Sequence, residues 1–118
     1  MEADTFEFKL RARSLFVATL DDRCVGYLMW TLLWSFPFME YVRVLSELRN
    51  NGIGTRMLDA LVREARARGS WGVWSSTTDA RALRWHERNG FRRIGEIEWV
   101  WGRTRESMLI KELEQNAS

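Results

Sequence analysis

The hydrophobic pattern of this chain has two periods, and it switches between them near residue 50. Phe6, Phe8, Leu10 and Ala12 alternate with Glu7, Lys9, Arg11 and Arg13, a period of two that predicts an opening strand. Two apolar runs over 15–20 and 24–34 flank Asp21-Asp22-Arg23 and read as a hairpin. Ser35-Phe36-Pro37 is expected to turn the chain into a strand over 39–45, with Glu40, Val42 and Val44 on one face and Tyr41, Arg43 and Leu45 on the other. The period then lengthens. Met57, Leu58, Leu61, Val62 and Ala65 form a helical stripe, with Thr55 as the expected N-cap and Gly69 as the stop. Residues 71–76 read as a strand, which completes a βαβ unit with a right-handed crossover. A second helix ends at Gly90, and 91–101 and 108–113 read as two last strands joined at Gly102-Arg103-Thr104, ahead of a frayed tail over 115–118.

Between the strand and the first helix lies Arg49-Asn50-Asn51-Gly52-Ile53-Gly54-Thr55. Its two glycines allow a tight turn and a close approach of backbone to a ligand, and the unpaired N–H groups of the helix start point into the same space. Those donors and the positive end of the helix dipole suit an anion such as phosphate, with Arg49 as an added charge. A Walker A loop is excluded, because Gly54 is followed by Thr55-Arg56-Met57 and no lysine. A dinucleotide fingerprint is excluded as well, because Met57 stands where a third small residue is needed.

What remains resembles the first signature of the GNAT superfamily of N-acetyltransferases, Gln/Arg-x-x-Gly-x-Gly/Ala. A second segment, Asp79-Ala80-Arg81-Ala82-Leu83-Arg84-Trp85-His86-Glu87-Arg88-Asn89-Gly90-Phe91, is similar to the family's other signature, Asn-x-x-Ala-x-x-hydrophobic-Tyr-x-x-x-Gly-Phe. Ala82, Trp85, Gly90 and Phe91 match in register, whereas Asp79 replaces the usual Asn and His86 the usual Tyr. The signatures occur in the family's order, and the resemblance spans roughly 15–113.

The resemblance implies an α+β fold over one domain, 1–118: a mixed, mostly antiparallel, twisted sheet with two principal helices and acetyl-CoA held where two central strands splay apart. It implies acetyl-CoA as co-substrate and a primary amine as acceptor, acetylated by direct attack. Cofactor-binding positions are Val42, Arg43 and Val44 on the strand, Arg49, Asn50, Asn51, Gly52, Ile53, Gly54 and Thr55 on the loop, and Asp79. Glu40 is the candidate base or a solvent-facing strand residue. His86 is the candidate acid for the departing thiolate or a packing residue; as a direct acid it must be protonated, so activity would fall as pH rises through its pKa. Asp79 can accept but not donate, so a contact made by an Asn amide would be lost there. A CoA-binding protein without turnover and a basic interaction domain are the alternatives. The two helices that usually separate the family's first two strands have no room here, which leaves the acceptor side open or completed by a second subunit.

Composition adds limits. The chain has 118 residues, 46% of them hydrophobic, enough for one core. No apolar run reaches membrane-spanning length and the N-terminus is acidic, so a cytoplasmic protein without membrane association is expected. Cys24 and His86 are the only cysteine and histidine, which disfavours a metal site and leaves Cys24 as a buried thiol. The net charge is +2, and the arginines around 63–68 and 81–93 read as a solvated face, some of them attracting the polyanionic CoA; no nucleic-acid motif is present. Seven tryptophans fill the core, or Trp30, Trp34 and Phe36 line an acceptor pocket or a homodimer interface.

Overall fold

Paired aspartates make the first hairpin possible. Asp21 and Asp22 both adopt left-handed backbone (φ 52° and 64°), which their short polar side chains tolerate, and they join β1, Leu15–Leu20, to β2, Arg23–Leu33. The computed structural model describes residues 14–100, 102 and 104–114. The strand expected over 6–12, Trp101 and the tail at 115–118 lie outside the described residues. The second hairpin turns at Trp34 and Ser35 (φ 50° and 69°) rather than at Ser35-Phe36-Pro37. Phe36 and Pro37 already belong to β3, Phe36–Val44, opposite Leu33 and Leu32. A left-handed tryptophan costs on the order of 1–3 kcal/mol. Ring contacts at this end of the sheet offset it: Trp34 meets Trp74 edge-on at 6.1 Å, and Phe36 packs on Trp71 at 4.8 Å and on Trp74 at 5.6 Å.

A short 3₁₀ turn, Ser46–Leu48, leads to α1, Ile53–Ala67; then follow β4, Gly72–Thr77, α2, Ala80–Arg88, β5, Arg92–Trp99, and β6, Thr104–Glu112. The six strands form one sheet in the order β1-β2-β3-β4-β6-β5, antiparallel except for the β3–β4 pair. This is the mixed, mostly antiparallel sheet with two helices expected from the sequence. β1 and β2 are joined directly by the aspartate turn, and no α-helix precedes α1 among the described residues.

The face assignment expected for 39–45 breaks at Glu40. Met29 pairs with Tyr41 and Trp30 with Met39, so Glu40 is an extra residue on β3, a β-bulge. The core positions on β3 are consequently Met39, Val42 and Val44, spaced three and then two. Leu45 ends the strand by donating its amide to the Val25 carbonyl at 2.9 Å.

The stripe on α1 behaves as its period dictates. Met57, Leu58, Leu61, Val62 and Ala65 are all buried, against Leu28, Trp30, Met39, Val73, Phe91, Leu109 and Leu113. Gly69 (φ 76°) stops the helix in a Schellman motif: the Ser70 amide bonds the Ala65 carbonyl at 2.9 Å and the Gly69 amide that of Arg66 at 3.0 Å. Cys24, expected to be buried, is exposed near the start of β2, where its thiol donates to the Gly26 carbonyl at 3.5 Å.

Leu61 has no exposed surface and sits at the centre of this core. Leu61→Ala is expected to destabilise the fold by about 2–5 kcal/mol, read as a lower urea midpoint at unchanged m-value. A loss below about 1 kcal/mol would mean that α1 is not held by this face.

Candidate functional site

Thr55, expected as the N-cap of α1, is not the cap. Gly52, in left-handed backbone (φ 78°), occupies the cap, and no side chain caps the helix. The helix starts ahead of Thr55 because Asn50 (φ 67°) and Gly52 bend the chain sharply enough to begin the turn there. Its first backbone bond runs from the Arg56 amide to the Gly52 carbonyl at 3.0 Å, so the helix itself supplies no acceptor for the amides of Ile53, Gly54 and Thr55. Asn51 steadies the loop by donating its side-chain amide to the carbonyls of Leu48 (3.1 Å) and Arg49 (3.3 Å), and it is not part of the cleft wall.

Thr55 instead ties the helices together, donating its hydroxyl to Asn89 Oδ1 at 2.9 Å. Gly54 has a packing reason to be glycine: a Cβ there would lie 3.2 Å from the Trp85 ring. α2 ends in a second Schellman motif around Gly90 (φ 90°), with Phe91 and Gly90 amides bonding the His86 and Glu87 carbonyls. Asp79 caps its start, Oδ2 accepting the Ala82 amide at 3.0 Å. The carboxylate at this wall of the cleft thus serves α2.

These elements enclose a cleft of about 760 Å³. It exists because β3 and β4 pair only at Phe38↔Trp74 and Met39↔Ser75 and then separate. Beyond that point β3 continues through Glu40 to Val44 and β4 through Ser76 and Thr77, without pairing to each other. Glu40, Val42, Arg43, Val44, Arg49, Asn50, Gly52, Ile53, Gly54, Thr55, Asp79 and His86 all line the cleft. Of the candidate catalytic and cofactor-binding residues, Asn51 is the one that does not. Arg43, Arg49, Arg81 and Arg88 reach the same cleft, and none of the four is in an ion pair among the described residues. Arg81 and Arg88 are exposed, as expected of a solvated face, and α2 places them at the cleft.

His86 is buried beside the last β3–β4 pair. Trp85 and Phe91 pack edge-on against its ring at 5.2 and 5.1 Å. Nδ1 lies 2.7 Å from the Ala82 carbonyl, an acceptor only, so Nδ1 carries a proton and donates it. Nε2 of the neutral ring is then an acceptor, and the Ser75 hydroxyl, 2.8 Å away, donates to it. Burial holds the imidazole below its ordinary pKa of 6.5, and the bond to the Ala82 carbonyl, which favours the charged form, offsets this only in part. The ring is therefore neutral near pH 7, and the protonated direct acid anticipated for this position is not its resting form. Ser75, nearly inaccessible and also 3.3 Å from the Met39 carbonyl, was missed by the sequence reading. Its signal was weak, because the strand reads Gly72-Val73-Trp74-Ser75-Ser76-Thr77 and Ser75 is the first of three consecutive polar residues.

Tyr41 and Trp85 line this cleft, whereas Trp30, Trp34 and Phe36, the candidates for an acceptor pocket, do not. Trp30 is core, stacked on Phe16 at 6.5 Å and covered by Arg68 at 5.1 Å. Trp34 and Phe36 lie at the opening end of β3, whereas the cleft begins past its third residue. Among the described residues no group of three or more His, Cys, Asp or Glu is placed to hold a metal, and no helix is long and apolar enough to cross a membrane.

The model of the acetyltransferase (GNAT) family matches residues 1–91. Acetyltransferase Atu2258 of Agrobacterium fabrum (strain C58) is 31% identical over 77 residues, which cover 65% of this chain and 56% of that protein; the chain spans little more than half the length of this curated relative. In fold, the chain is similar to an aminoglycoside 6'-N-acetyltransferase complexed with coenzyme A (TM-score 0.85, 16% identity, 98% of this chain and 82% of that one). It is also similar to a GNAT family acetyltransferase from Elizabethkingia anophelis with acetyl-CoA bound (TM-score 0.77, 18% identity, 93% and 82%). A family match over most of its length, together with this sheet and its parted central strands, shows that the chain belongs to the GNAT family of acetyltransferases.

Proposed function

We propose that this protein is an N-acetyltransferase that moves the acetyl group of acetyl-CoA to a primary amine by direct attack. The observation that carries the reading is a single cleft in which uncapped amides at the start of α1 meet the unpaired facing edges of β3 and β4. The pyrophosphate binds the amides of Asn50 to Thr55, with Arg43 and Arg49 as counter-charges and Arg81 and Arg88 adding attraction. The β3 edge at Val42, Arg43 and Val44 holds the extended arm of the cofactor by main-chain bonds, as a strand would be held. Glu40, half-buried in the bulge beside the parting, removes a proton from the incoming ammonium directly or through water. Structural relatives with CoA and acetyl-CoA bound support this reading.

A second reading, a CoA-binding sensor without turnover, is favoured by the engagement of both ring nitrogens of His86 and of the Asp79 carboxylate in bonds within the protein. Thiol release from acetyl-CoA against a panel of primary amines divides the two. Release above the buffer rate with at least one amine is expected, and none with any amine would favour the sensor. A cytoplasmic setting is part of the proposal.

The loop assignment makes a sharp mutational prediction. A Cβ at Gly52 meets nothing within 4 Å, but it projects from left-handed backbone on the cleft wall. Gly52→Val is therefore expected to abolish CoA binding in calorimetry while circular dichroism stays close to wild type. Gly54→Val is expected to do the same at a greater cost in stability, because it displaces the Trp85 ring. Normal CoA affinity in both variants would remove the pyrophosphate from this loop.

A homodimer is also part of the proposal, through the aromatic end of the sheet. Trp34 is 80% exposed on its strained turn, with Trp71 half exposed beside Phe36. Sedimentation should show a dimer that Trp34→Lys converts to monomer; a wild-type monomer at high concentration would end this part of the reading.

A further inference from the structure

Ser75 and His86 occupy the base of the cleft, where β3 and β4 make their last pair. The Ser75 hydroxyl has two acceptors in reach, His86 Nε2 at 2.8 Å and the Met39 carbonyl at 3.3 Å. With His86 neutral, the hydroxyl donates to Nε2. With His86 protonated, Nε2–H donates to Ser75 Oγ and the hydroxyl turns to the Met39 carbonyl. Both protonation states leave these buried polar groups bonded, which is what a proton carrier requires. Nδ1 stays bonded to Ala82 in both, so the ring does not rotate as the proton comes and goes.

We infer that Ser75 and His86 form a proton relay, in which the Ser75 hydroxyl touches the reacting atoms and His86 is the positioning residue that holds the proton behind it. This rests on the acetyl-transfer reading. An alkylammonium acceptor loses two protons on its way to an amide. Glu40 takes the first, leaving a neutral amine whose nitrogen attacks the thioester carbonyl; the C–N bond forms, leaving a positive nitrogen and an oxyanion. The second proton passes from that nitrogen to Ser75 Oγ as the proton of Ser75 passes to Nε2. The oxyanion then collapses, the C–S bond breaks, and sulfur takes a proton from the Ser75 hydroxyl as Nε2 returns its own. Amide and thiol leave, and Ser75 and neutral His86 are restored. Burial keeps the imidazolium short-lived, and transfer from it to a thiolate, whose free thiol titrates near about 8.5, runs downhill.

The sign of the pH dependence follows. The relay needs neutral His86, so kcat falls as pH drops through a pKa below 6.5, and His86 contributes no alkaline limb. Other charged groups at the cleft are Glu40 and Arg43 on β3, Arg49 on the loop, Asp79 at the cap of α2, and Arg81 and Arg88 on α2. On the neighbouring β6, Lys111 donates to the Asn89 carbonyl and Glu106 accepts from Ser76. None of these bonds the His86 ring, whose hydrogen bonds are to Ser75 and Ala82.

His86 is the only histidine of the chain, so its imidazole nitrogens are directly legible by ¹⁵N NMR of the whole protein. CoA should shift the Nε2 resonance, desulfo-CoA should not, and Ser75→Ala should lose the difference. In thiol-release kinetics, Ser75→Ala and His86→Phe should each lower kcat by roughly 10²-fold at unchanged CoA affinity. The double variant should be no slower than the slower single one, because the pair acts as a unit. Equal shifts with CoA and desulfo-CoA, multiplicative losses in the double variant, an alkaline limb that disappears in His86→Phe, or acetyl-Ser75 after incubation with acetyl-CoA alone would each overturn the relay. Failure of the wild type to release thiol with any amine, while the CoA-specific shift persists, would instead overturn the acetyl-transfer reading and leave the Ser75 contact with sulfur standing.

Discussion

The parting of β3 from β4 after Met39 and Ser75 is the constraint on which the rest of this structure depends. Strand edges inside a domain are normally paired, because an unpaired buried N–H or C=O forfeits about 1–3 kcal/mol. Here two central strands keep their outer partners, β2 and β6, and separate from each other. The bulge at Glu40 falls at the same point: an extra residue on β3 bends the strand away and re-aims its side chains. A cleft between parted strands, lined by backbone groups that no neighbouring strand satisfies, is a site for an extended polar ligand by construction.

The helices hold that cleft open from one side. α1 is pinned to the sheet by its apolar stripe, and its uncapped first turn faces the gap. α2 packs close to that turn: a Cβ at position 54 would lie 3.2 Å from the ring of Trp85, which would have to give way. Thr55 and Asn89 bond across the same junction, and Lys111 secures the end of α2 by donating to the Asn89 carbonyl at 2.8 Å. The start of one helix and the end of the other are thereby fixed to each other, so the donors of the loop and the wall carrying His86 keep their spacing.

Electrostatically the cleft is divided. Its mouth carries arginines from the strand, the loop and α2, suited to a polyanion and screened by salt. Its base is buried, and there a neutral imidazole and a hydroxyl satisfy each other. Charge at the mouth favours capture and orientation of a phosphate-bearing cofactor, while a neutral, fully bonded base suits the movement of a proton without a standing charge in low dielectric.

Local chemistry made much of this legible in the sequence. The helical stripe from Met57 to Ala65, both glycine stops and the aspartate hairpin follow from period and backbone preference, and they hold in the fold because no tertiary force opposes them. The glycine loop and the second signature likewise located the cleft, since backbone donors at a helix start depend on few distant residues. Features set by pairing between distant segments were not legible. The bulge at Glu40 is a matter of register with β2, and the left-handed turn at Trp34 packs its ring on Trp74 from β4. The exposure of Cys24 and the use of Thr55 as a clasp rather than a cap are likewise tertiary outcomes. The same holds for His86. Sequence put a titratable ring in the right helix, but only the fold decided that it would be buried, that Ala82 would take its Nδ1 proton, and that Ser75, eleven residues away on another element, would face its Nε2.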